Sequence, residues 1–261
     1  MIPTLIINLE RDSERRAALA GRLNALGIPH TFLKAVDGQA LSAAELARAA
    51  PQGPERKRLY RRTLTANEIA CGLSHLAAIA EGVRLDCDFF CTLEDDIVPA
   101  PNLPLCLQRD TLTSLAEFDV LRLFTHLDRW DKPSRIIAYV HGSVVVRMLR
   151  PGWGCQGQIY SRRGAEKILA SLTGLRAPFD YALYHDCHVS GLKVVEMRPG
   201  MVERDGVTSS IGPRHQAERP KTLRGRLDTN LLRMRRKFGA AVSFFRAWGA
   251  REFFAFLPLW R

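Results

Sequence analysis

The 261-residue chain has no apolar run near the roughly 20 residues a bilayer-spanning helix needs. It has no CxxC pair, no P-loop, no glycine-rich phosphate loop, no kinase-type Asp motif and no internal repeat. Those absences argue against a membrane-spanning protein, a zinc ribbon and a P-loop or kinase-type phosphoryl transferase. The opening "MIPTLIINLERD" lacks a basic flank and a small-residue cleavage site, so it reads as a first core strand, not a secretion signal. Six cysteines without paired spacing are then expected to be reduced cytosolic thiols. Cys87 and Cys91 lie four apart but have no paired His or Cys nearby, which disfavours zinc there.

What is present is an ordinary globular composition, 46% hydrophobic and 25% charged, with an uneven charge. Residues 1–220 carry a net +3, whereas residues 221–261 carry +8. Two parts are therefore expected: a nearly neutral domain over 1–220 and a basic tail over 221–261. A nucleic-acid tether would have to be the tail, yet that tail has no RNA- or DNA-binding signature. Its Leu223, Leu227, Leu231, Met234, Phe238, Val242, Phe245, Trp248 and Phe256 recur near helical spacing beside clustered arginines. That is the pattern of a basic amphipathic helix on an anionic membrane surface, with packing on the domain as the alternative.

Along the domain, "TLIINL" reads as a buried strand and "ERRAALAGRLNAL" as a helix capped by Asp12 or Ser13 and stopped at Gly27. "HTFLKAV" follows as a second strand, giving a β-α-β opening and an α/β fold with a parallel sheet. Thr65 and Glu68 form a Thr-x-x-Glu capping box before a helix with Ile69, Leu73, Leu76 and Ile79 on one face. "DFFCTLEDD", "FDVLRLF" and "LKVVEM" read as strands, "RRGAEKILASL" as a helix, and 135–149 as a hairpin turning near His141-Gly142.

Glu94, Asp95 and Asp96 end one of those strands side by side. Like charges about 4 Å apart repel by roughly 4 kcal/mol at an effective dielectric of 20, so something positive should offset them. The prolines at 99, 101 and 104 disfavour a helix for them to cap. Open α/β sheets bind ligands at the carboxyl ends of their strands. Carboxylates with no thiolate or imidazole beside them suit Mg²⁺ or Mn²⁺. The expected metal ligands are Glu94 and Asp96, with Asp95 assisting.

In this order, "IINLERDSERR", "AVDG", "LTANEIACGLSH", "LEDD", "GQIYSRRGAEKIL", "PFD" and "SSI" make the chain resemble glycosyltransferase family 25. That family includes bacterial lipopolysaccharide and lipooligosaccharide galactosyltransferases. The resemblance implies a GT-A-like, Rossmann-type domain, a UDP-sugar donor (UDP-galactose in the family), inversion at the anomeric carbon, and a metal at the acidic motif. It implies a glycan or lipid-linked glycan acceptor, hence a cytoplasmic enzyme lying on the inner face of a bacterial inner membrane. It points to Asn8, Glu68, Ser74, His75 and Asp95 for the donor and to Asp180 as the base, while Arg11, just past the first strand, is placed to add charge to the donor pocket and Asp186, on a polar helix face, is the reserve base. Arg15 and Arg16 are expected on a solvated helix face. The family's Gly-Thr-x-x-Tyr stretch is altered here to "GCQGQIY", without the Thr. A binding-only family member is the alternative function.

Overall fold

The computed structural model describes residues 1–51, 63–125, 134–149, 151–184, 191–206 and 223–256, without the side chains of 223–230, 232, 233, 235 and 236. The chain opens with β1 (Thr4–Asn8), α1 (Ser13–Ala25), β2 (Thr31–Lys34), α2 (Ala43–Ala49), α3 (Ala66–Arg84) and β3 (Phe89–Glu94). Next come β4 (Ile97–Pro99), α4 (Leu103–Cys106), α5 (Arg109–Ser114), β5 (Val120–Arg122), β6 (Ser134–Val140), β7 (Ser143–Met148) and β8 (Gly157–Ser161). It closes with α6 (Arg162–Ser171), α7 (Phe179–Tyr184), β9 (Val194–Arg198), β10 (Val202–Arg204) and α8 (Leu223–Phe256).

Eight strands form one mixed sheet in the order β2-β1-β3-β8-β5-β9-β7-β6, and β4 pairs with β10 apart from it. β1 runs parallel to both β2 and β3, whereas β8 is antiparallel to its neighbours β3 and β5. Strand β1 reads as a nearly continuous apolar run because both faces are covered, whereas β5, β8 and β9 carry the buried Arg122, Gln158, Glu196 and Arg198. Successive side chains point to opposite faces. Accordingly Ile6, Cys91, Leu121, Ile159 and Val195 join Leu19 and Leu23 of α1 in one core. Their chain neighbours Leu5, Phe90, Val120, Tyr160 and Val194 join Ile69, Ile79, Ala165 and Ile168 of α3 and α6 in the other. Helix α3 comes so close to the sheet that a Cβ on Gly82 would lie 2.3 Å from the Phe90 ring.

Both local turn signals hold. The Thr65–Glu68 capping box starts α3, with Thr65 Oγ1 accepting from Glu68 N–H at 3.2 Å and the Glu68 carboxylate accepting from Thr65 N–H at 3.0 Å. The β6–β7 hairpin turns on His141 and Gly142, both at positive φ, the geometry of a two-residue primed turn. Asp12 takes the N-cap position of α1 but makes no side-chain cap hydrogen bond, and Gly27 at φ 65 follows the helix end.

The C-terminal segment forms a helix bent at Gly249 (φ 81). Its second half is built into the molecule: Ala240, Ala241, Phe244, Ala247 and Phe256 are buried. The Arg147 guanidinium lies 3.8 Å from the centre of the Trp248 ring and ion-pairs with Glu252. Upstream, Leu231, Met234 and Phe238 are exposed. The stripe read as one apolar face therefore splits, with packing on the domain at one end and solvent at the other.

Candidate functional site

Parallel pairing of β1, β2 and β3 brings their carboxyl ends to one edge, with Ile7 beside Glu94 and Asn8 beside Lys34. A cleft there, lined by Asn67, Cys71, Ser74, His75, Arg11, Arg15 and the three acids, encloses about 670 Å³ of empty space, part of it open solvent. A second cleft of about 510 Å³ shares Cys71, His75 and Glu94 with the first and holds Glu68, Gln156, Phe179 and Asp180. The two are lobes divided by the His75–Glu94 pair.

The three adjacent acids diverge. Glu94 turns to α3, where His75 Nε2 lies 3.2 Å from its Oε1. Asp95 accepts a hydrogen bond from Asn8 Nδ2 (2.8 Å) and sits 3.6 Å from Arg15 Nη1. Asp96 is buried, 3.9 Å from Arg204 Nη2, and its Oδ1 has no hydrogen-bond partner among the described residues. Burial, then the charge of Glu94, pushes the Asp96 carboxyl up to about 6. Burial also raises Asp95, opposed by the Asn8 hydrogen bond and Arg15. The positive groups near the cluster are thus Arg15 and Arg204.

Two expectations need correction. Arg15 does not lie on a solvated face, because it lines the cleft against Asp95, whereas Arg16 stays exposed as expected, its guanidinium carbon 4.5 Å from the Phe32 ring centre. Arg15 reaches the cleft because α1 starts close behind the end of β1. Nor is the acid cluster free of soft ligands. Ligand atoms of Cys71, His75 and Glu94 all lie within 4.8 Å of one another.

The remaining expected residues fall as follows. Arg11 lines the first lobe, paired with Asp37. Ser74 lines it too, but its hydroxyl donates to Ala70 O and accepts from Val36 N–H, both at 2.8 Å, pinning the chain after β2 to α3. Glu68 borders the second lobe while capping α3. Asp180, at the start of α7, is buried and accepts from Gly154 N–H (2.9 Å) and Tyr181 N–H (2.8 Å). Asp186 lies outside the described residues.

Sequence reasoning missed Gln156 and the support of Asp180. Arg122, fully buried and ion-paired with Glu196, donates to the carbonyl of Trp153 (2.7 Å), holding the loop whose Gly154 N–H reaches Asp180. Gly154 has φ +89, and a Cβ there would lie 2.2 Å from Gln156 Oε1, so that turn requires glycine. The Trp-Gly-Cys-Gln run was the available signal.

A mixed α/β protein with an acidic, two-lobed cleft at its strand ends is built for a polar, charged ligand. The sequence profile of glycosyltransferase family 25 (LPS biosynthesis protein) matches residues 1–183. The chain belongs to that family. It is 34% identical over 175 residues to a glycosyltransferase 25 family member of Aedes aegypti, covering 63% of this chain and 27% of that protein. One of Anopheles gambiae matches at 35% over 96 residues, 35% of this chain and 16% of that one. The matched regions thus span well under a third of those longer relatives. The crystal structure of A197 from STIV aligns with 83% of this chain and 100% of its own, at 12% identity and a TM-score of 0.41.

Proposed function

We propose that the protein transfers galactose from UDP-galactose to a lipopolysaccharide- or lipooligosaccharide-type glycan, with inversion and with Mn²⁺ or Mg²⁺ held by Glu94 and Asp96. The observation that carries this reading is the contiguity of the two lobes, acids in one and Asp180 in the other, across Glu94 and His75. The chemistry of these donors supports a hard cation. Carboxylate oxygens are its preferred donors, and the buried, unpartnered Oδ1 of Asp96 is an acceptor in need of a positive partner. Bound there, the cation would neutralise diphosphate charge as the sugar–phosphate bond breaks.

The chain's own groups supply the rest. Asn8 and Arg15 hold Asp95 in place, and Arg11 adds positive charge to the donor lobe. In the second lobe Asp180 takes the proton of the acceptor hydroxyl as its oxygen bonds to the anomeric carbon and UDP departs from the opposite face. Two backbone N–H groups fix the carboxylate for that step. The exposed Leu231, Met234 and Phe238, within a basic stretch of α8, support docking on the cytoplasmic face of an inner membrane. No helix among the described residues is long and apolar enough to cross it.

The test is UDP release from UDP-galactose with a lipooligosaccharide acceptor. Turnover should require Mn²⁺ or Mg²⁺, stop in EDTA, and be absent from a folded Asp96→Ala variant. Turnover that persists in EDTA, or an active Asp96→Ala, would remove the cation from the mechanism.

A further inference from the structure

We propose that Cys71, His75 and Glu94 form a site for a borderline divalent cation such as Zn²⁺, separate in chemistry from an all-oxygen Mn²⁺ or Mg²⁺ site. Cys71 and His75 are four residues apart on α3, so they share a face one turn apart. Glu94 ends β3 opposite that turn, 3.2 Å from His75 Nε2. Stacking on Phe179, with 4.8 Å between centroids and 6° between planes, holds the imidazole in orientation. All three ligand atoms already fall within 4.8 Å of one another. A tetrahedral zinc with bonds of about 2.0–2.3 Å needs its ligands roughly 3.3–3.8 Å apart, a contraction that side-chain rotation can supply.

The donor set decides the ion. Thiolate, imidazole and carboxylate together are the ligands of Zn²⁺ or Co²⁺, whereas Mg²⁺ and Mn²⁺ favour oxygen. Binding would expel the Cys71 thiol proton to solvent as the sulfur–metal bond forms. The dication is then balanced by one thiolate and one carboxylate, so the ion and its three ligands carry no net charge in a cleft that is partly withdrawn from water. Three protein ligands leave a fourth position, and both lobes open onto these three residues, so a small molecule could fill it. Because Glu94 also belongs to the acid cluster, Zn²⁺ would compete with Mn²⁺ or Mg²⁺ and antagonise transfer. That consequence rests on the transferase reading; the site itself does not.

Cobalt reports the site without any activity measurement. Reduced full-length protein titrated with Co²⁺ should develop a near-ultraviolet thiolate-to-cobalt band that saturates near about one equivalent and is bleached by Zn²⁺ but not by a roughly tenfold excess of Mg²⁺. Cys71→Ser should lose the band, and His75→Gln should weaken Co²⁺ binding by about tenfold or more. Cys71→Ala, with melting temperature checked, serves if the serine variant does not fold. Absence of the band from wild-type protein at saturating Co²⁺ would overturn the site, as would its persistence in a Cys71 variant. A band in an inactive protein leaves the site standing and removes the transferase reading. An active transferase without the band removes the site alone.

Discussion

Glu94, Asp95 and Asp96 are three consecutive acids in three environments, and their differences set the chemistry of the cleft. Asp96 is the buried one, and its carboxyl is raised to about 6 from an ordinary 3.8. An acid with a raised folded pKa binds more protons folded than unfolded between those values, so it lowers stability as pH climbs through that window. Asp96→Asn should therefore raise the melting temperature of the metal-free protein at pH 8, by a few degrees. The gain should shrink as pH falls through about 6 towards 4; a gain independent of pH would mean that Asp96 is ionised no less readily folded than unfolded. Asp180 invites a kinetic test. Asp180→Asn keeps its shape but cannot accept a proton, so the transfer rate should fall roughly 10²- to 10⁴-fold while UDP-galactose affinity stays close to wild type. If affinity collapses and the saturated rate survives, Asp180 binds the donor instead.

Among the secondary-structure elements, α8 combines two roles along one helix. From Ala240 onward it covers core, with Phe244 and Phe256 buried and Trp248 beneath Arg147. Fully burying a Phe side chain contributes roughly 1.5–3 kcal/mol, so removing residues 240–256 should cut stability severely. The first half differs. Leu231, Met234 and Phe238 contribute little to the core, so replacing all three with Ser should leave the melting temperature nearly unchanged. The same variant should stop the protein sedimenting with phosphatidylserine-containing vesicles; continued sedimentation would show that this face is not the membrane contact. The strands were the most legible elements, because apolar runs bounded by turn residues suffice for strands covered on both sides. Short elements were not: β4 and α4 fall within a proline-rich stretch, where Pro104 sits in the first turn of the helix. Strand β8 was hidden because "GQIYS" carries two polar residues, and Gln158 is satisfied internally by Tyr160 and Tyr184.

Taken over the whole molecule, the candidate site is a product of topology, and topology is what local patterns least reveal. The acid triplet, Asn8 and Asp180 were visible in the sequence as motif residues. Their grouping depends on parallel pairing of β1 with β3 and on α3 crossing the strand ends. Cys71, His75 and Glu94 are 4 and 19 residues apart along the chain, so only the packing of α3 against β3 brings them together. The buried Arg122–Glu196 pair behind Gly154 joins β5 to β9, which are separated by more than 70 residues.

If one cleft binds a nucleoside diphosphate and a hard cation together, each ligand should strengthen binding of the other. Differential scanning fluorimetry with UDP, Mn²⁺ or both tests it directly. Ligand at about 100 times its Kd stabilises by roughly 2.7 kcal/mol, or about 5–10 °C for a domain of this size. Both ligands together should shift the melting temperature well beyond the sum of the single shifts, with no such excess in Asp96→Ala. Merely additive shifts, or an excess undiminished in that variant, would contradict joint binding.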